Sequence, residues 1–290
     1  MIYNKKRKNK LSIKIRELQT ITQGVPATDG DGVRMTRIIG SPELNMLDPF
    51  LLLDAFETEE AIDYIGGFPD HPHRGFETVT YLLAGKMRHK DSAGHNGVIE
   101  AGGVQWMTAG KGIIHSEMPE QENSLLQGFQ LWVNLPASEK MKMPNYQEFP
   151  VNDIAVEKLP NGTTTRVIAG TTDNGVTGPV KNEYVEPIYM DISLPESQVF
   201  KQTVNSEDNT FLFIIDGELS VGEFSQELSQ KQMGVLSSGD KVIIKAKKDS
   251  RFLLISARPL NEPVARGGPF VMNTKAEILQ AFEDFKQNKF

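Results

Sequence analysis

Apolar and polar positions along this chain alternate in short β-type runs that stop at glycines. ETVTYLLAG at 77–85 is β-branched and aromatic and turns at Gly85. VIEAGGVQWMTAGKGIIHSE at 98–117 continues in the same manner, with Gly102-Gly103 and Gly110/Gly112 as turning points. GFQLWVNLP at 128–136 alternates and ends at Pro136, and LDPFLLLDAF at 47–56 has the apolar content of a buried strand. SEKMKMPNYQEFP at 138–150 is polar and proline-broken, and predicts a linker. Beyond it strands resume in TTRVIAG, EPIYMDISL, NTFLFIIDGELSVG, KQMGVLSSGDKVIIKA and RFLLISA. Many short strands at regular spacing predict an all-β chain built as small antiparallel barrels or jelly rolls. One helix is expected near the end: Thr274 and Glu277 form a capping box, and Ile278, Phe282 and Phe285 then share a face suited to covering a core.

The two halves echo each other. TVTYLLAGKM (78–87) and TFLFIIDGEL (210–219) superpose with Gly85 on Gly217, which sets Thr203, Asn205 and Asn209 at the places of His71, His73 and Glu77. Gly239-Asp240 echoes Gly102-Gly103, and the apolar RFLLISA stands where the second histidine motif would be. The expected organisation is a tail at 1–20, a metal-binding barrel at 21–148, a barrel without ligands at 149–266, and a helical tail at 267–290.

All five histidines, His71, His73, His89, His95 and His115, fall inside one stretch, which demands a local cause. In an extended strand, residues two apart share a face. His71, His73 and Glu77 therefore share a face if the run stays extended that far, and His115 and Glu117 share one by the same parity. Two strands meeting across a barrel would gather imidazoles and a carboxylate, the donor set of non-haem iron(II) and similar divalent metals with positions left open. Each histidine alone would read as a satisfied polar residue; the paired spacing favours a metal. His89 and His95 follow Gly85 in a polar segment and are expected on a loop or surface.

At 290 residues the chain has room for two domains with separate cores. No apolar run reaches the length of a membrane span. The absence of cysteine excludes disulfides, thiolate zinc sites and thiol catalysis, and fits a cytoplasmic setting. A net charge of −7 argues against general nucleic-acid binding. The basic run Lys5–Lys10 reads as a solvated tail, and LSIKIREL at 11–18, with charges inside it, is no signal-peptide core.

HPHRGFETVTYLL, GHNG, QWMTAGKGIIHSEMP and LQGFQLWVNLP, with SPELNMLDPFLLLDAF at 41–56 and GPFVMNT at 268–274, resemble the signature of the pirin family over nearly the whole chain. The resemblance implies two tandem cupin domains with one metal in the first, held by His71, His73, His115 and Glu117. The general cupin pattern takes its carboxylate from the first motif, here Glu77, and strand parity permits either glutamate. Glu77 is then the alternative ligand or a group orienting an imidazole. Fe(II) is the first expectation, with Mn, Ni, Cu, Co and Zn open to the same donors.

Pirin relatives are associated with quercetin 2,3-dioxygenase activity. That implies a flavonol-like substrate and O2, carbon monoxide as a product, and Glu117 or Glu77 as general base. Trp106, Met107, Phe129 and Trp132 would then wall a pocket for a flat ring, while Arg74, turned away from the metal, would form an ion pair. Pirins are also described as regulators of transcription factors or metabolic enzymes. On that reading the metal is structural or redox-sensing and the partner is a protein.

Overall fold

The computed structural model describes residues 13–120 and 125–290, so the Lys5–Lys10 run lies outside the described residues. The first half supplies strands β1 (Leu18–Thr22), β2 (Val25–Asp29), β3 (Val33–Ile39), β4 (Phe50–Thr58), β5 (Phe68–His73) and β6 (Phe76–Ala84). It continues with β7 (Lys86–Asp91), β8 (Asn96–Glu100), β9 (Val104–Thr108), β10 (Ile113–Pro119), β11 (Leu126–Asn134) and β12 (Asn145–Phe149). Seven of these form a sheet in the order β12-β9-β6-β11-β4-β3-β2, and four form a second sheet, β5-β10-β7-β8. All neighbours are antiparallel, as expected of a jelly roll.

The second barrel repeats this order. Its seven-stranded sheet runs β1, Met233–Leu236, Asn209–Asp216, Ser250–Ala257, Ile188–Leu194, Thr164–Ala169, Ala155–Lys158. Its four-stranded sheet runs Val199–Thr203, Lys241–Ala246, Glu218–Val221, Gln226–Ser229. The expected echo holds at the hairpins after β6 and after Asn209–Asp216: Gly85 and Gly217 both take a left-handed φ, +88° and +94°. Elsewhere the echo shifts. Gly239-Asp240 precedes the counterpart of β10 and so matches Gly110/Gly112, not Gly102-Gly103. RFLLISA is the counterpart of β11; the place of the second histidine motif is Lys241–Ala246, whose Val242, Ile244 and Ala246 fill an apolar interior.

The edge position of the large sheet is filled differently in the two barrels. In the first it is β12, paired with β9 from Asn145↔Thr108 to Phe149↔Val104, so the expected linker 138–150 carries a strand of the first barrel. In the second it is β1, paired with Met233–Leu236. Residues expected as a tail are thus part of the far barrel. The Arg16 guanidinium, buried there, donates to the carbonyls of Gly239 (2.8 Å), Ser237 (3.0 Å) and Asn205 (2.7 Å).

The largest apolar cluster lies between the barrels, where the two seven-stranded sheets meet. Phe50 packs edge-on against Phe211 with ring centres 5.1 Å apart, and Phe129 against Phe213 at 5.2 Å. Within this seam the Tyr81 hydroxyl donates to Asp191 at 2.6 Å, and Arg251 makes a forked pair with the same carboxylate at 3.0 and 2.7 Å. At the end, Thr274 caps helix α1 (Lys275–Lys286): its hydroxyl accepts from the Glu277 amide at 3.3 Å, and the Glu277 carboxylate accepts from the Thr274 amide at 2.8 Å. Ile278 and Ala281 bury one face of α1 against Phe270 and Met272. Among the described residues no helix is long and apolar enough to cross a membrane.

Candidate metal centre

The four-stranded sheet of the first barrel brings the histidine motifs together. β10 lies between β5 and β7, with His115 directly opposite His71 and Ile113 opposite His73. The imidazoles of His71, His73 and His115 converge, with ring centres 4.7 Å (71–73), 4.4 Å (71–115) and 5.0 Å (73–115) apart. One nitrogen from each lies within 4.8 Å of the others, the spacing a single ion requires.

Burial and hydrogen bonding fit a cation. The Nδ1 of His71 lies 2.8 Å from the Pro69 carbonyl; donation there fixes the tautomer and leaves Nε2 free as a ligand. His73 Nδ1 and both ring nitrogens of His115 are buried without a hydrogen-bond partner. Such orphaned nitrogens are uncommon in a folded interior, and an ion would satisfy ligand atoms among them. Burial, aided by the neighbouring His71, holds the His73 pKa down to about 3. Burial and the facing imidazoles hold His115 well below its ordinary value. Both buried rings are therefore neutral at pH 7, the form that binds metal.

Glu117 sits two residues beyond His115 on the same inward face of β10, opposite His89 on β7. Its Oε1 accepts from the Thr80 hydroxyl at 2.8 Å, and the Gln130 amide stands 3.5 Å from Oε2. Burial raises its pKa, opposed by His71 and the Thr80 hydrogen bond. Thr80 and Gln130, adjacent on β6 and β11, were not legible as site residues, because only the strand pairing places them beside Glu117.

Glu77 does not share a face with His71 and His73. β5 ends at His73, Gly75 turns the chain with φ +88°, and Phe76 begins β6 in the other sheet, so the parity count is broken. Glu77 lies on the seam side of β6, where it accepts from Thr108 Oγ1 at 2.8 Å and from Asn182 of the second half at 2.6 Å. Burial raises its pKa against these hydrogen bonds.

His89 is not a loop residue. It lies buried on β7, where Met87, His89 and Asp91 alternate inward, and its Nε2 is 2.6 Å from Glu148 of β12. The alternation in KMRHKD was the signal that could have placed it. His95 is exposed at its side chain and pairs with Asp91 at 2.8 Å. Arg74 forms the expected ion pair, with Asp284 at 2.8 Å.

A cleft of about 480 Å³ opens on His71, His73 and Glu117, with Phe56, Phe68, Met87 and Trp132 as apolar walls and Arg37, Asp54 and Arg266 on its polar side. Trp132 lies 5.3 Å from the His73 ring and packs on Phe76 at 4.3 Å. Of the four side chains expected to wall the pocket, Trp132 does so. Trp106 and Phe129 face the seam, because alternate residues of β9 and β11 face opposite sides of their sheet; Met107, on the barrel side, packs with Ala109 and Ile113 and does not line the cleft. Phe129 also edges a separate cleft of about 520 Å³ with Phe213 and Lys231, distinct from the histidine site.

Two fused jelly rolls, one with inward histidines at a cleft and the other with an apolar interior in the same place, define a bicupin with a single candidate metal site among the described residues. The chain belongs to the pirin family: residues 32–133 match Pirin and residues 189–290 match the Pirin C-terminal cupin domain. It is 50% identical over 277 residues to a pirin-like protein of Caulobacter vibrioides, covering 95% of this chain and 99% of that one. Among solved structures, a quercetin 2,3-dioxygenase from Acinetobacter baumannii is similar with a TM-score of 0.84 at 33% identity, covering 95% of this chain and 98% of the other. The fold is also that of a bacterial pirin from Escherichia coli in complex with nickel(II), with a TM-score of 0.66 at 19% identity, covering 84% of this chain and all of that one.

Proposed function

We propose that this protein is a metal-dependent dioxygenase that opens the ring of a flavonol-type substrate. The observation that carries the reading is the set of three converging imidazoles, with unpartnered buried nitrogens, beside a cleft that has Phe56, Phe68 and Trp132 among its walls. Similarity to a protein named quercetin 2,3-dioxygenase supports the substrate class.

His71, His73 and His115 would hold the metal, with Glu117 as the carboxylate of the set; Fe(II) suits these donors, as do Mn, Ni, Cu, Co and Zn. When bound, the ion would supply Lewis acidity and a common point of attachment for O2 and an ionised substrate oxygen. Glu117, which lines the cleft, would take the proton of the substrate hydroxyl. Thr80 and Gln130 hold its two oxygens in orientation. Trp132, packed against His73 and Phe76, would offer a face for the flat ring.

The test is carbon monoxide release from quercetin in air, with metal-free protein reloaded separately with Fe(II), Mn(II), Ni(II) and Cu(II). Metal-dependent release is expected, falling to background in His115→Ala. Absence of product from every metal form, with metal bound and the protein folded, would remove the flavonol reading and leave a metal-dependent regulatory role.

A further inference from the structure

The turn that carries His73 out of the metal site is held by a segment from the far end of the chain. We propose that residues 268–290 are a positioning clamp for the metal centre, acting through Arg74 and Gly75, so that metal occupancy and docking of α1 are coupled. The inference rests on the reading that His71, His73 and His115 hold a metal.

Arg74 follows His73 directly, and its buried side chain is committed on three sides. Its Nε donates to the Lys111 carbonyl at 2.5 Å, its Nη1 pairs with Asp284 of α1 at 2.8 Å, and its guanidinium lies 4.3 Å from the centre of the Phe290 ring. Lys111 belongs to the turn leading into β10, the strand of His115. One side chain therefore ties the exit of one ligand strand to the entry of the other, and α1 supplies the carboxylate that neutralises it. Forked, fixed geometry of this kind is suited to setting the spacing of attached groups.

The backbone is held as firmly. The Val271 amide donates to the Arg74 carbonyl at 3.0 Å. The buried Lys140 Nζ spans the Gly75 carbonyl (2.6 Å), the Asn134 side-chain oxygen (2.6 Å) and the Val271 carbonyl (3.1 Å). A Cβ on Gly75 would meet the Val271 oxygen at 2.0 Å, so the turn and the segment approach more closely than any side chain at this position would allow. Gly268 and Pro269 of the same segment then line the metal cleft. If the imidazole spacing is fixed by this clamp, metal binding must stabilise the docked segment by the same factor that docking strengthens metal binding.

The experiment uses the full chain with Asp284→Asn, which keeps the shape of the carboxylate and removes its charge, and Phe290→Ala as a second route to the same loosening. Metal affinity is read by chelator competition, ligand geometry by the visible spectrum of the Co(II) form, and docking of α1 by amide hydrogen exchange over 275–286 with and without metal. The expected result is roughly tenfold or greater weakening of metal affinity in both variants, the range seen when groups orienting metal ligands are removed. A shifted Co(II) spectrum and slower exchange in α1 on metal loading of the unaltered protein are expected with it. Unchanged affinity and spectrum in variants that lose only thermal stability would make the contacts merely structural and overturn the clamp, as would α1 exchange indifferent to metal. Failure of the unaltered protein to bind metal would overturn the metal reading together with the clamp; metal binding with an unaffected Asp284→Asn overturns the clamp alone.

Discussion

Lys140 is enclosed by oxygen acceptors and hidden from water, and burial lowers its pKa from the ordinary 10.5 to about 8 against the opposing pull of Glu262 and Glu277. A base whose folded pKa is depressed is stabilising above its unfolded pKa, and that stability is lost as pH falls to the folded value. Between pH 10.5 and 8 the unfolded chain binds a proton at Lys140 that the folded one does not. The stability of the unaltered protein relative to Lys140→Met is therefore expected to fall by about 2–3 kcal/mol from pH 10.5 to pH 8 and to level off below, measured by urea unfolding. A difference constant with pH would show that Lys140 stays charged in the fold. Glu117 permits a second test at this scale. Glu117→Gln keeps the side chain within reach of Thr80 and Gln130 but removes the anion, and metal affinity is expected to drop by roughly 10–100-fold. Equal affinity in a chelator competition would take Glu117 out of the coordinating set. His-x-His and His-x-Glu were legible in the sequence because each is a local, period-two signal. Glu77 was misread because the same count was carried across Gly75, where the chain leaves one sheet for another.

At the scale of elements, the central strands were visible as apolar runs, and helix α1 through its cap and its apolar face. The mostly polar β7, by contrast, was read as a loop, and Ala155–Lys158, Val199–Thr203 and Gln226–Ser229 gave no apolar run to read. What could not be read was partnership at the sheet edges. β1 and β12 are short, polar strands whose pairing depends on segments far away in the chain: Leu18 meets Leu236, and Phe149 meets Val104. Nothing local distinguishes such an edge strand from a tail or a linker, since much of its surface faces solvent. The edge nevertheless matters energetically. Leu18 is buried in the second barrel against Leu228 and Gly234, and Leu18→Ala is expected to cost about 2–3 kcal/mol in urea unfolding. A loss below a few tenths of that would mean that β1 detaches without consequence for the second barrel.

At the scale of the molecule, the two barrels share their largest apolar cluster, so the outer face of each seven-stranded sheet is buried only by the other barrel. The chain should unfold in one calorimetric transition, and residues 149–290 made alone, without β1 or the facing Phe50 and Tyr81, should show no cooperative melt. Tyr81→Phe removes the seam hydrogen bond while Arg251 still pairs Asp191, and is expected to cost about 1–2 kcal/mol in the single transition rather than splitting it. Two resolved transitions would show barrels that fold independently. The sequence echo had revealed two barrels; that they share an apolar seam depends on which faces of β6 and β11 are turned outward, and that orientation appears only with the topology.

The clasping of each barrel by the opposite end of the chain also dictates an order of events during synthesis. The candidate ligand histidines of the first barrel emerge early, yet their turn is completed only when residues 268–290 have left the ribosome. β1 emerges first and waits for the counterpart of β9, Met233–Leu236, before it has a strand to pair with. Neither barrel can be finished from its own half of the chain, so the candidate metal site acquires its final shape only after residues 268–290 have been made.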